Sequence, residues 1–182
     1  MQKVVGQVQM SYKAMAILKI VIVGASAAGK TTFARALSEK INIPATFMDE
    51  IMWNPGWNYV GDQQVKSTLD EIVGTQQWLI EGYIANAARA NLFTQADQII
   101  YLDYSGWIMA WRYIKRTLQY RKNPRPELPG SPETFSWKFL KLVFTKGETL
   151  KLEELFRKNP EINSKVLRFR TPKQASMYIK EL

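Results

Sequence analysis

The sequence predicts an α/β fold built on a parallel sheet, and two observations support that prediction. A β-branched run at 17–23 ends directly at Gly24, which is typical of a buried parallel strand. Further strand-like runs follow, each separated from the next by a segment long enough for a crossover helix: 45–49, 78–83, 98–103 and 165–169. Such regular alternation indicates an α/β protein with helices packed against the sheet.

The segments between these runs supply the predicted helices. Helical patterns occur at 30–41, 62–74, 85–93, 106–120 and 172–182, and two more helices are expected between residues 132 and 158. Residues 123–132 hold four prolines in ten positions, so they cannot continue the helix before them. We therefore expect a loop there.

Length and composition indicate one domain. The chain has 182 residues, 46% of them hydrophobic, which suffices for a single core at 17–182 after a polar lead at 1–16 that need not be ordered. It has no cysteine and no histidine, which excludes disulfides, thiolate metal sites and imidazole chemistry. Any chemistry must therefore use carboxylates, lysine, arginine, hydroxyls or a bound metal.

The hydrophobic segments predict a cytoplasmic protein without a membrane partner. No apolar run approaches the roughly 20 residues needed to cross a bilayer. Residues 1–16 lack the apolar centre of a signal peptide.

Positive charge is concentrated in one part of the chain. The formal net charge is +9, and residues 104–126 contain six basic side chains and no acidic one. This excess suits an anionic partner but does not choose between nucleotide phosphates, nucleic acid and anionic lipid. A solvated helix face is the alternative interpretation.

A glycine-rich motif stands between the first predicted strand and the first predicted helix. It has the pattern G-x-x-x-x-G-K-[ST] and consists of Gly24, Ala25, Ser26, Ala27, Ala28, Gly29, Lys30 and Thr31. In this motif backbone N–H groups and a helix N-terminus surround phosphates, the lysine reaches the β and γ oxygens, and the threonine hydroxyl binds Mg²⁺. The sequence therefore predicts an ATP and magnesium site here and at Thr32. The alternative is a glycine turn that binds nothing.

Several stretches together resemble one family of P-loop proteins. They are the strand and P-loop at 20–31, FMDEIMWNPGW at 47–57, WLIEGY at 78–83, IIYLD at 99–103 and WRYIKRTLQYR at 111–121. Nearly the whole chain after the lead resembles the adenylate-kinase-like proteins called DNA topology modulation or FlaR-like proteins, relatives of nucleotide and shikimate kinases. The resemblance implies a three-layer fold whose five-stranded parallel sheet has the order 2-3-1-4-5, with a short lid at about 121–131.

The implied strand order gives two carboxylates a role. Glu81 and Asp103 would end the strands that flank the P-loop strand, where both could hold Mg²⁺ directly or through water. The family has Asp-Gly where this chain has Glu81-Gly82, a departure in side-chain length. For Asp103 the alternative is a strand-end turn residue.

Other residues fall on the acceptor side of the implied fold. Asp49 would end the second strand, where a carboxylate can orient the attacking group and take its proton. Trp53 and Trp57 could form an acceptor pocket, or they could simply cover the edge of the sheet. Arg89 could contact an acceptor phosphate.

The fourth predicted helix carries two arginines one turn apart. Arg112 and Arg116 share one face, and Trp111, Ile114 and Leu118 are available to pack on the other.

The resemblance assigns nucleotide contacts to these arginines. They lie nine and thirteen positions after Asp103, like the lid-helix arginines of adenylate-kinase-like enzymes, of which one stacks on adenine and the other meets phosphates. Arg121 would be a lid residue that closes over ATP and excludes water. Arg170 and Pro172 match the family's adenine-side loop.

Two functions remain open from the sequence. The first is an ATP-dependent kinase of a nucleotide or other small molecule, which the P-loop, the basic lid and a separate acceptor pocket favour. The second is a regulatory nucleotide-binding protein linked to DNA topology or nucleic-acid binding, which the positive charge and many aromatic residues would also suit. The sequence has no helix-turn-helix, RNA-binding or zinc signature, so we expect the kinase.

Overall fold

The computed structural model describes residues 19–82 and 86–182, and for residues 86–90 it describes the backbone alone. The predicted lead at 1–16 lies outside the described residues. In chain order the strands are β1 Lys19–Gly24, β2 Ala45–Phe47, β3 Trp53–Asn54, β4 Asn58–Tyr59, β5 Trp78–Glu81, β6 Gln98–Leu102 and β7 Val166–Phe169.

Five of these strands form one parallel sheet in the order β2-β5-β1-β6-β7. Counted within this sheet alone, the order is 2-3-1-4-5, which confirms the predicted topology. β3 and β4 form a separate antiparallel ribbon that was not predicted. Because β1 lies between β5 and β6, the carboxyl ends of three adjacent strands meet beside the P-loop.

Helices connect these strands and cover the sheet. They are α1 Lys30–Ile41, α2 Met48–Met52, α3 Asp62–Val73, α4 Asn86–Gln95, α5 Gly106–Gln119, α6 Trp137–Phe144, α7 Leu150–Lys158, α8 Pro160–Ser164 and α9 Pro172–Glu181, with a 3-10 turn at Gly147–Thr149. The predicted helices are confirmed to within about two residues, which is the usual uncertainty of helix ends. The short helices α2 and α8 were not predicted. Within the described part of the chain, no helix is long and apolar enough to cross a membrane.

The central strand explains why the sheet is buried on both faces. Ile20 and Ile22 belong to one hydrophobic cluster, and Val21 and Val23 belong to the other. Successive strand residues point to opposite faces, so an unbroken apolar run supplies two cores at once. The predicted three-layer arrangement is confirmed.

The predicted end of the second strand is wrong. The strand stops at Phe47, and Asp49 lies in the first turn of α2 rather than on the sheet. Met48 is fully buried, and a β-carbon added to Gly82 would lie 2.6 Å from the Met48 Cβ. The chain therefore leaves the sheet at Met48, which packs tightly against the end of β5 and begins the helix.

The predicted packing face of α5 is also wrong. Trp111 and Leu118 are 63% and 70% exposed, whereas Met109, Tyr113 and Thr117 are buried. These three recur every four residues and therefore define the inward face of the helix. Trp111 is two residues before Tyr113, which corresponds to a rotation of about 200° around the helix axis, so Trp111 points away from the sheet.

Candidate active site

The P-loop joins β1 directly to α1, and its two glycines have conformations that suit no other residue. Gly24 has φ of 152°, and an added β-carbon would lie 2.7 Å from the Leu102 carbonyl oxygen. Gly29 has φ of 90°, and its added β-carbon would lie 3.1 Å from Nη1 of Arg112. The loop therefore wraps tightly at the N-terminus of α1, which is an anion-binding geometry.

A lysine, a hydroxyl and a carboxyl group meet at the start of α1. Lys30 Nζ donates to the Ala25 carbonyl oxygen at 3.2 Å, and Thr31 Oγ1 donates to Glu81 Oε2 at 3.2 Å. Glu81 is only 5% exposed, and its burial raises its pKa, an effect that the charge of Lys30 opposes. Thr31 and Glu81 thus offer two adjacent oxygen atoms beside the phosphate-binding loop.

This oxygen pair fits magnesium. Mg²⁺ commonly takes only one or two protein ligands together with waters and substrate phosphates. Among the residues that the structure describes, no group of three or more carboxylate side chains gathers into a larger metal cage. A hydroxyl beside a carboxyl group is the kind of donor set that a P-loop magnesium site uses.

Asp103 lies at the same sheet edge but has other partners. Its carboxylate pairs with Lys146 and with Arg168, whose Nη1 lies 3.2 Å from Oδ2. Arg168 also contacts Glu153 at 2.8 Å. With two cations already on it, Asp103 belongs to an ion-pair network, and we leave it out of the metal site.

Glu148 contacts the P-loop, which the sequence did not indicate. The backbone N–H of Ser26 donates to Glu148 Oε2 at 2.6 Å, and the Ser26 hydroxyl donates to Oε1 at 2.8 Å. The two residues are 122 positions apart in the chain, so no local pattern could have joined them. An internal carboxylate is thus bound to the loop that is shaped for phosphate.

The two arginines of α5 have different positions. Arg112 contacts the P-loop, because its Nη1 donates to the Ala28 carbonyl oxygen at 2.7 Å. Arg116 instead pairs with buried Glu133, with 3.2 Å between Nε and Oε1. Burial lowers the pKa of Arg116 and the charge of Glu133 raises it. The structure therefore brings Arg112, and not Arg116, into contact with the predicted phosphate site.

Arg125 links the loop after α5 to the acceptor side. Its Nε lies 3.0 Å from Glu133 Oε1, and its Nη2 lies 3.2 Å from Asp49 Oδ2. Asp49 is partly exposed, and its negative charge contributes to the raised pKa of Glu81. Asp49 and Glu81 are therefore close enough for their charges to interact.

The aromatic residues of the ribbon form a cluster fastened to the same loop. The Trp53 ring lies 5.7 Å from the Trp57 ring and 5.5 Å from the Tyr59 ring. Ser131 Oγ accepts hydrogen bonds from the backbone N–H groups of Gly56 at 3.0 Å and Trp57 at 3.2 Å. The predicted lid is thus joined to the predicted acceptor pocket by direct hydrogen bonds.

The remaining predicted residues are exposed, begin a helix or have no described side chain. The side chains of Thr32, Arg121 and Arg170 are exposed. Pro172 begins α9 just after the Thr171 cap. The side chain of Arg89 lies outside the described part of the structure.

Comparison with solved structures shows the fold. Shikimate kinase from Acinetobacter baumannii, in complex with shikimate, has a TM-score of 0.59 and 17% identity over 94% of each chain. A gluconokinase from Sinorhizobium meliloti has a TM-score of 0.54 and 16% identity over 90% of this chain and 87% of that one. Shikimate kinase from Bacteroides thetaiotaomicron has a TM-score of 0.50 and 16% identity over 91% of this chain and 96% of that one.

No protein-family model matches the chain, and a search of curated proteins finds no significant match. At these identities the structural likeness establishes the fold alone, which is the P-loop fold of small-molecule kinases. The resemblance to the DNA topology modulation family stays a prediction from the sequence.

Proposed function

We propose that this chain is an ATP- and Mg²⁺-dependent phosphotransferase that acts on a small hydroxylated molecule. The observation that carries the proposal is a pair of carboxylates, one in contact with the P-loop and the other in contact with the lid loop. Glu81 lies beside Thr31 of the P-loop, and Asp49, whose charge also acts on Glu81, pairs with Arg125 of the lid loop. A second carboxylate beside the nucleotide site is the group that a phosphotransferase needs to orient its acceptor and take its proton.

The P-loop side would hold the nucleotide. Backbone N–H groups of residues 24–31 would surround the phosphates, with Lys30 as their main cation and Arg112 close by. Thr31 and Glu81 would hold Mg²⁺. When bound, the metal supplies positive charge to the phosphate oxygens. Arg121, Arg170 and Pro172 are assigned to the exposed edge of this site, toward the base.

Asp49 would serve the acceptor. The acceptor oxygen forms a bond to the γ-phosphorus, the bond from that phosphorus to the ADP oxygen breaks, and the hydroxyl proton passes to Asp49. Trp53 and Trp57 are assigned to the wall of the acceptor pocket, with Arg89 as a further contact. Arg116 is assigned to positioning, because it reaches Arg125 only through Glu133.

The lid would couple the two sides. Its loop contacts α2 through Arg125 and the ribbon through Ser131, and α5 contacts the P-loop through Arg112. Closure around both substrates excludes water, which would otherwise accept the phosphoryl group.

The direct test is a screen for the acceptor. The full chain with Mg·ATP would be assayed for ADP release in the presence of nucleosides, nucleotides, sugar acids and hydroxylated carboxylic acids. We expect one class to raise ADP release well above the acceptor-free rate. A set of compounds that all leave the rate unchanged, while Mg·ATP still binds, would favour the regulatory alternative.

A further inference from the structure

A second surface of the molecule, separate from the proposed active site, exposes large apolar side chains. Trp107 and Trp137 are 76% and 77% exposed, and Trp111 and Leu118 are 63% and 70% exposed. Monomeric proteins rarely leave several such residues together in water unless the surface binds something. We call this surface the α5–α6 face.

The two helices of this face pack directly against each other. A β-carbon added to Gly106 would lie 1.9 Å from the Phe144 carbonyl oxygen, so the start of α5 touches the end of α6. The exposed rings of Trp107 and Phe144 meet edge to face, with centroids 4.7 Å apart. At the other end, Tyr113 of α5 lies 5.2 Å from the Phe139 ring of α6. The two helices therefore present one continuous surface.

The charged residues around this face are cations. Exposed basic side chains on these two helices or directly after α5 occur at Lys115, Lys122, Lys138 and Lys141. The acidic residues between positions 104 and 152 are all withdrawn from the surface. Glu127 and Glu133 are buried, and Glu148 is bound by Ser26. The structure describes this whole stretch, and it holds no exposed carboxylate.

Charge and side-chain type together select the partner. A second copy of the chain would bring two sets of lysines together, and like charges oppose such a contact. Single-stranded nucleic acid would use the aromatic rings for stacking but gains nothing from Leu118, which is 70% exposed. An anionic bilayer accepts all three kinds of side chain, since indoles prefer the interface, leucines enter the acyl boundary and lysines pair with headgroups.

We propose that the α5–α6 face binds the surface of an anionic lipid bilayer. The contact is peripheral and needs no membrane-spanning segment. On α5 the exposed Trp111 is next to Arg112, which contacts the P-loop, and successive residues of a helix point about 100° apart. Bilayer binding and nucleotide binding therefore use different side chains of α5, and the proposal stands whether or not the chain is a kinase.

The experiment is vesicle co-sedimentation of the full chain. Phosphatidylcholine vesicles with about one third phosphatidylglycerol would be compared with pure phosphatidylcholine vesicles at low and high salt. We expect binding to the anionic vesicles alone, weakened by salt, with a blue shift of tryptophan fluorescence as indoles leave water. Circular dichroism and thermal unfolding should be unchanged in every variant, which shows that each one is folded.

Matched variants make the test specific. Lys138→Gln with Lys141→Gln should weaken vesicle binding by about 25-fold, at about five-fold for each lysine. The control, Lys40→Gln with Lys173→Gln, removes two exposed lysines elsewhere and should have little effect. Trp107→Ala with Trp137→Ala should weaken vesicle binding and reduce the blue shift, which Trp111 alone would then report on this face, whereas Met177→Ala should change neither.

Three results would overturn the proposal. One is the absence of binding to either kind of vesicle. Another is equal weakening by the two lysine pairs, which would indicate attraction by net charge alone. The third is a better partner for the same residues. One example is an oligonucleotide that displaces the vesicles. Another is a dimer, detected by light scattering, that dissociates when Trp107→Ala and Trp137→Ala are introduced.

Discussion

The P-loop and the acceptor side of the proposed active site are built in different ways. The P-loop is one contiguous segment, residues 24–31, whose shape follows from two glycines and the start of a helix. The acceptor side is assembled from α2, the ribbon and the lid loop, and its central contact joins Asp49 to Arg125, 76 positions away. Phosphate binding is thus encoded locally, whereas the acceptor site requires the lid to be in place. The following predictions test that contrast.

The largest expected effect is the loss of the P-loop lysine. Lys30→Ala should lower turnover with Mg·ATP by about 10³-fold or more, because it removes the main cation of the transferred phosphoryl group. Circular dichroism should show an unchanged fold. Lys40→Ala, at the exposed end of the same helix, is the control and should behave like the parent. Similar losses in both variants would place the phosphate elsewhere.

The next effect concerns the long-range network. Glu133→Gln leaves Arg116 and Arg125 without their shared carboxylate, and both guanidinium groups are largely enclosed. Removing one partner of a buried ion pair costs about 3 kcal/mol or more in the free energy of unfolding. Urea denaturation measures this loss. Glu154→Gln removes an exposed partner of Lys158 and should leave the urea midpoint unchanged.

Glu81 provides a smaller, pH-dependent effect. Burial raises the pKa of Glu81 in the folded protein above the unfolded value near 4.5. The contribution of Glu81 to the free energy of unfolding is therefore fully present below pH 4.5, where the side chain is protonated in both states, and is lost as pH rises through the folded-state pKa. Without metal and nucleotide, Glu81→Gln should therefore gain stability relative to the parent as pH rises from 4 to 8. Thermal unfolding at several pH values tests this. A relative loss with rising pH would mean that Glu81 is stabilised in its charged form.

The smallest expected effect is at the unpredicted P-loop contact. Glu148→Gln keeps a hydrogen-bonding side chain at Ser26 but removes a negative charge from the phosphate site. ATP affinity measured by calorimetry should rise by about five-fold, which corresponds to the repulsion between two unit charges about 4 Å apart in a medium as polar as water. A weaker affinity would instead show that Glu148 supports the loop in its binding shape.

The same contrast explains which features could be predicted from the sequence. The sheet followed from apolar runs and their spacing, and the P-loop followed from one motif. The α2 helix was missed because its five residues are too few to show a helical period, and Asp49 was therefore placed on the strand. The ribbon was missed because its strands are two residues long.

The orientation of α5 could not be predicted for a different reason. Aromatic and aliphatic residues occur on both sides of this helix, so periodicity alone does not decide which side meets the sheet. The partners of Arg116 and Ser26 depend on Glu133 and Glu148, which come from other elements. Such contacts are fixed by tertiary packing and leave no local signal.

The most direct test of the account is a pair of titrations on Asp49→Asn. If the two sides of the site are separate, ATP affinity by calorimetry should survive this change, because Asp49 belongs to α2 and not to the P-loop. Acceptor-dependent phosphoryl transfer should fall by about 10²-fold, the usual contribution of a positioned proton acceptor, while acceptor-free ATP hydrolysis changes little. Equal loss of ATP binding and transfer would contradict the account and place Asp49 with the metal, and unchanged transfer would remove its catalytic role.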